Sequence, residues 1–196
     1  MAEKLFYEDP FLVEFTARVL SCTPDKEGFA VTLDRTAFYP EGGGQNADHG
    51  TLGGAAVTDV REKEGEVIHY CDKALPVGDT VAGAIDFARR FDLMQQHSGE
   101  HIVSGILCGR HGCDNVGFHI GHDLVTIDFN TQLTMEEVRE IEVLANRYVW
   151  EDHPVEASWP APEVLEALPY RSKKALTGAV RIVTFPGADC CACCGT

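Results

Sequence analysis

A chain of 196 residues lies between one and two typical domains and is long enough to bury a core. Its composition, 44% hydrophobic and 24% charged, excludes a natively unfolded or low-complexity chain. Against 31 Asp and Glu stand only 16 Lys and Arg; the resulting −15 repels phosphate at long range and disfavours indiscriminate coating of nucleic acid, while leaving room for one local basic site. The first ten residues carry no apolar leader, and no apolar run is long enough to span a bilayer, so a cytoplasmic protein without a membrane partner is expected. In that setting the eight cysteines read as thiols or metal ligands rather than a disulfide scaffold.

Residues 11 to 87 carry the pattern of short strands and turns. Phe29, Val31 and Leu33 alternate with Ala30, Thr32 and Asp34, the period of a half-buried strand. Val57 to Val60 and Val67 to Tyr70 flank Lys63-Glu64-Gly65 as a hairpin, and Val77-Gly78-Asp79 turns into a strand from Val81 to Phe87. Several such strands with Gly-rich turns predict a small β-barrel over residues 1–88. From Arg89 the period changes: Phe91, Met94, His97, His101 and the Ile106/Leu107 pair predict one helix over 89–108, stopped by Gly109. Leu124 to Phe129 alternates as a strand, and Thr134 with Glu137 forms a capping box opening a helix through Val138, Ile141, Leu144, Ala145 and Val149. A short helix after Pro162 and a strand at Val180 to Phe185 complete a second, α/β domain over 89–196, so the predicted class is α+β.

Three segments carry chemistry. His97 and His101, at i and i+4, share a helical face and suit one metal ion, although surface or core histidines give the same spacing. Cys193 adds a soft ligand, and a substrate-binding zinc needs only three protein ligands with an open position. The C-x-x-C spacings Cys190/Cys193 and Cys191/Cys194 would also suit a redox pair, but the thioredoxin-like βαβ context is missing. His97-Ser98-Gly99-Glu100-His101 also matches H-x-x-E-H, the inverted zinc-peptidase signature, with Glu100 as base and Glu163 or Glu166 as third ligand. That alternative leaves Cys193 without a role. In Phe38-Tyr39-Pro40-Glu41-Gly42-Gly43-Gly44-Gln45, glycines let backbone approach a ligand while the Gln45 amide donates and accepts; a plain hairpin loop is the other reading.

Taken in order, Thr36-x-Phe38-Tyr39-Pro40 with Gly42-Gly43-Gly44-Gln45 and Asp48, then Gln96-His97-Ser98-Gly99-x-His101, then Cys193-Cys194-Gly195-Thr196, closely resemble the alanyl-tRNA editing family. That family comprises the free-standing AlaX proteins and the editing domain of alanyl-tRNA synthetase. The resemblance runs from about residue 11 to the end. It implies a translation-protein-like β-barrel followed by an editing domain shared with threonyl-tRNA synthetases. It implies hydrolysis of the ester that joins serine, and sometimes glycine, to alanine tRNA. Carried over by position, His97, His101 and Cys193 are zinc ligands; Cys193 opens the family's C-x-x-x-H motif, whose closing His would follow Thr196, so the metal site of this stretch is expected to be cut one ligand short. Gln45, with Gly43 and Gly44, matches the motif associated with the active site, and Thr36 matches the threonine that separates serine from alanine. Gly43-Gly44-Gln45 is also similar to the tripeptide with which release factors hydrolyse peptidyl-tRNA. For the acceptor end of the tRNA, Arg89, Arg90, Arg171, Lys173 and Lys174 are expected to line the phosphate path, a solvated basic face being the alternative. Besides the editing hydrolase, a zinc peptidase and a non-catalytic tRNA-binding or structural zinc module stay open.

Overall fold

In the first unit of the computed structural model, which describes residues 1–172 and 178–196, strands send alternate side chains inward. Along β2 (Glu14–Asp25), Phe15, Ala17 and Val19 are buried, while Glu14, Thr16 and Arg18 face solvent. The unit, Met1–Met94 with Gly195–Thr196, also holds β1 (Glu3–Lys4), β3 (Gly28–Leu33), β4 (Arg35–Thr36), β5 (Gly50–Leu52), β6 (Ala55–Lys63), β7 (Glu66–Cys71) and β8 (Thr80–Ile85). Antiparallel pairing runs β2-β3-β7-β6-β5-β8, and β8 returns to β2 with Glu14 opposite Ala84 and Arg18 opposite Thr80, so the ladder closes as a barrel. Closure leaves this ladder without an open edge. Val31, Leu33, Phe38, Leu52, Val60 and Val67 fill its core, each side chain of this size worth about 1.5–3 kcal/mol when taken from water. The short β1 pairs in parallel with β4.

The last barrel strand ends at Ile85, before the expected Phe87, because Asp86 caps a helix there: its carboxylate accepts from the Arg89 N–H at 3.2 Å. Helix α1 (Phe87–His111) runs past the expected stop at Gly109, and the division between the units, at Met94 and Gln95, falls inside it. The helix ends instead at Gly112, whose φ of 61° places it in the left-handed region and whose N–H bonds the Cys108 carbonyl at 2.9 Å.

The second unit, Gln95–Cys194, continues with the hairpin β9 (Asn115–Ile120) and β10 (Val125–Phe129) and with α2 (Met135–Glu151). The capping box predicted at Thr134 and Glu137 is present with both of its bonds. Then come β11 (Glu156–Ser158), α3 (Pro162–Ala167), β12 (Ile182–Phe185) and β13 (Asp189–Ala192), the three strands forming one antiparallel sheet in the order β11-β12-β13. Ile102 of α1, Ala145 of α2 and Val183 and Phe185 of β12 share a core. Among the described residues no helix is long and apolar enough to cross a membrane.

Candidate functional site

Two imidazoles one turn apart on α1 start the site. The rings of His97 and His101 lie 5.1 Å apart and are nearly parallel; each is also backed by an aromatic side chain, Phe118 of β9 against His97 and Phe185 of β12 against His101. Gly105 lets the next turn of α1 press against the β12–β13 connection: a Cβ there would stand 2.3 Å from the Ala188 carbonyl oxygen and 2.6 Å from the Asp189 Cβ. That close approach brings β13 and the chain after it to the histidines. Cys193 Sγ comes to 3.5 Å from His97 Nε2, and one ligand atom each of His97, His101 and Cys193 lies within 4.8 Å of the others.

A partner on the far side sets the direction of His101. Its Nδ1 is 2.9 Å from Asp189 Oδ2, and Asp189 in turn accepts Arg171 Nε at 2.8 Å and a terminal guanidinium nitrogen at 2.7 Å. An ionised carboxylate only accepts, so Nδ1 is the nitrogen that carries the proton and Nε2 is left for a metal. Burial opposes ionisation of Asp189, but His101 and Arg171 outweigh it and hold the carboxyl below its usual range. Burial likewise pulls His101 down, and the Asp189 carboxylate together with the Cys191 and Cys193 sulfurs outweighs it, leaving the imidazole more basic than usual. For Cys193 burial pushes the thiol up, yet the two imidazoles bring it well below the ordinary range, toward the thiolate a metal takes.

These three residues fit a zinc ion. His101 Nε2 is buried with no hydrogen-bond partner among the described residues, an orphaned acceptor aimed at the cluster. With usual bond lengths, the sulfur–nitrogen edge of a tetrahedral zinc site is about 3.6 Å, against 3.5 Å for Cys193 Sγ to His97 Nε2. A second grouping of His101, Asp189 and Cys191 also exists, but its carboxylate is committed to Arg171.

Glu100 does not take the part that a peptidase requires. It is buried, and its Oε1 accepts from Ser104 Oγ at 2.9 Å and from the Asn115 amide, a closed network with no base presented to solvent. Glu163 and Glu166 join no metal-type group among the described residues. The H-x-x-E-H reading is therefore withdrawn.

In the barrel unit, Gly42 to Gln45 form a two-residue turn: Gly43 and Gly44 have φ of 60° and 89°, and Gly42 and Gln45 exchange both backbone hydrogen bonds. The Gln45 side chain is fully enclosed, and its amide donates to Thr196 Oγ1 at 2.7 Å. Thr36 is equally enclosed. Because the Val31 carbonyl accepts from His69 Nδ1 at 3.1 Å, His69 Nε2 is the acceptor for the Thr36 hydroxyl at 2.8 Å, while Thr36 Oγ1 accepts the Phe38 N–H at 3.0 Å.

Two of the expected phosphate contacts are corrected. Arg90 has no exposed surface; it donates to both oxygens of Asp48, Nε to Oδ1 at 2.8 Å, and to the Ala37 and Pro10 carbonyls. Arg171 is spent on Asp189. A basic cluster in sequence does not distinguish a guanidinium facing solvent from one that neutralises a buried carboxylate. Arg89 is half-buried with its Nε on the Ala47 carbonyl, and Lys173 and Lys174 lie outside the described residues. Sequence reasoning missed Asp189 and assigned no role to Asp48; their only signals were an acid four residues before Cys193 and an acid following the glycine turn.

Residues 11–89 match the family model of class II (A) tRNA synthetases. The chain is 32% identical to the alanyl-tRNA editing protein AlaX-L of Pyrococcus horikoshii, over the whole of this chain and 51% of that protein. It is likewise 32% identical to the mouse alanyl-tRNA editing protein Aarsd1, over 98% of this chain and 51% of the relative. With an alanine–tRNA ligase of Natronomonas pharaonis it shares 40% identity over 84% of this chain and 19% of the ligase. The chain thus spans about half the length of the editing proteins it matches.

Proposed function

Because the chain belongs to the alanyl-tRNA editing family, we propose that it is a zinc-dependent, cytoplasmic trans-editing hydrolase acting on the acceptor end of alanine tRNA wrongly charged with serine or glycine. The observation that carries the reading is the gathering of His97, His101 and Cys193, with His101 Nε2 left as an acceptor by Asp189. The physical need for such an enzyme is plain. A synthetic site rejects a substrate that merely adds a hydroxyl by only about 10²-fold, so a second site that hydrolyses the wrong ester restores fidelity.

When bound, zinc supplies an open coordination position and Lewis acidity. The protein groups do the rest. His97, His101 and Cys193 hold the ion, and Asp189 and Arg171 hold His101. Gln45, with the Gly43 and Gly44 amides, is assigned hydrogen bonding to the ester or the attacking water. Thr36 is assigned recognition of the serine hydroxyl. Its own proton already goes to His69, so the part left to Thr36 is that of an acceptor. Arg89, Lys173 and Lys174 are assigned the tRNA phosphates.

The test is incubation of zinc-loaded protein with seryl- and alanyl-tRNA for alanine. Selective loss of the seryl ester is expected, and replacing Gln45 with Ala is expected to slow it by about 10²–10³-fold. Bound tRNA with both esters intact would replace the hydrolase by a binding module.

A further inference from the structure

Away from the metal centre, three thiols line one open cavity of about 610 Å³ in the second unit: Cys108, Cys113 and Cys190. Two of them are brought together by the way α1 ends. Where a left-handed residue stops a helix, the residue after it commonly folds back over the last turn. Here Gly112 is that residue; the Cys108 carbonyl takes its N–H, Cys113 is the residue that follows it, and both thiols line the same cavity. The neighbourhood is also felt electrically: burial, then Cys113, pushes the Cys108 thiol up to about 11. Cys190 belongs to β13, where its sulfur takes a contact from Thr184 Oγ1 at 3.8 Å. The metal-type groups among the described residues are the two at His101, so this cavity offers thiol chemistry rather than a metal cage.

We propose that Cys108 and Cys113 form a reversible dithiol site, oxidised to an intramolecular disulfide by a low-molecular-weight disulfide such as that of glutathione. Cys113, half-buried where Cys108 is buried, reacts first. Its thiolate attacks one sulfur of the small disulfide; a Cys113–glutathione bond forms, and one glutathione leaves and takes up the proton. Cys108 then loses its proton, attacks the Cys113 sulfur and expels the second glutathione. Two protein thiols thereby give up two electrons and two protons, and one small disulfide becomes two thiols. The site is independent of the editing reading and shares no ligand with the metal centre.

Zinc-saturated protein is treated with glutathione disulfide, quenched in acid and digested with trypsin without reduction. Arg110 lies between the two cysteines, so cleavage after it leaves two peptides held only by the disulfide. The expected result is that linked pair, with no glutathione retained and the zinc content unchanged. In Cys108→Ser, glutathione is expected to stay on Cys113; in Cys113→Ser, Cys108 is expected to remain unmodified. Wild-type protein that keeps glutathione on Cys113 without the linked pair, a Cys113–Cys190 link, or wild-type thiols that all stay free would each overturn the proposal.

Discussion

Asp189 owes its importance to what it does to His101 rather than to contact with any ligand. It fixes the protonated nitrogen and raises the basicity of the other, and Arg171 in turn fixes it from two directions. Loss of such an outer partner typically weakens metal affinity by about 10–100-fold. Asp189→Asn is expected to lower zinc affinity by that factor in competition with a chromophoric chelator, and Cys193→Ser, which takes away the proposed sulfur ligand, is expected to lower it further. An unchanged affinity in Asp189→Asn would dismiss the positioning role. His69 makes a residue-scale prediction of another kind. Burial brings it down to about 4, against the opposing bond to the Val31 carbonyl. Between that value and the ordinary 6.5, the unfolded chain binds a proton that the folded chain refuses. Stability from this group is therefore whole above pH 6.5 and is lost as the pH falls toward 4, by about 3 kcal/mol across the window. Urea midpoints at pH 7 and pH 4.5 measure the loss, and the ring signals of His69 should stay those of the neutral imidazole down to about pH 5, well below the ordinary range.

At the scale of elements, the two glycines near the end of α1 have opposite duties. Gly112 stops the helix in a left-handed conformation, so Gly112→Ala is expected to cost about 1 kcal/mol or more. Gly109 lies inside the helix with open space where a Cβ would go, so Gly109→Ala is expected to stabilise by about 0.5–1 kcal/mol. Thermal unfolding of the two variants tests both signs at once. These glycines also show what was legible in the sequence. Periodicity revealed the helix because burial of one face repeats along the chain, and the Thr134 box was readable because both of its partners are three residues apart. Which glycine ended α1 was not readable, since that depends on a backbone angle and not on a repeating side chain. The three-residue β11 left no pattern of its own; it exists because β12 offers it a ladder. The grouping of His97, His101 and Cys193 was legible from residue type and motif. The Arg90–Asp48 and His101–Asp189 pairs were not, because partners 42 and 88 residues apart share no local period.

For the whole molecule, an excess of 15 negative charges must be tolerated on folding. Most of these carboxylates are exposed, where repulsion is screened over about 10 Å at 0.1 M salt. Raising sodium chloride from about 0.05 M to about 0.5 M is therefore expected to move the urea midpoint upward at pH 7. A falling midpoint would mean that favourable ion pairs outweigh the net repulsion. The Arg90–Asp48 pair, with no exposed surface on either side chain, should contribute little to that salt response. Its consequence is one of timing. The carboxylate that binds Arg90 also takes the Tyr39 N–H, so a single side chain ties the start of α1 to the segment leading into the glycine turn. That segment cannot loosen without separating a buried charge pair, and leaving either charge unpaired there is costly. The turn that carries Gln45 accordingly keeps the lifetime of the helix start rather than that of a surface loop.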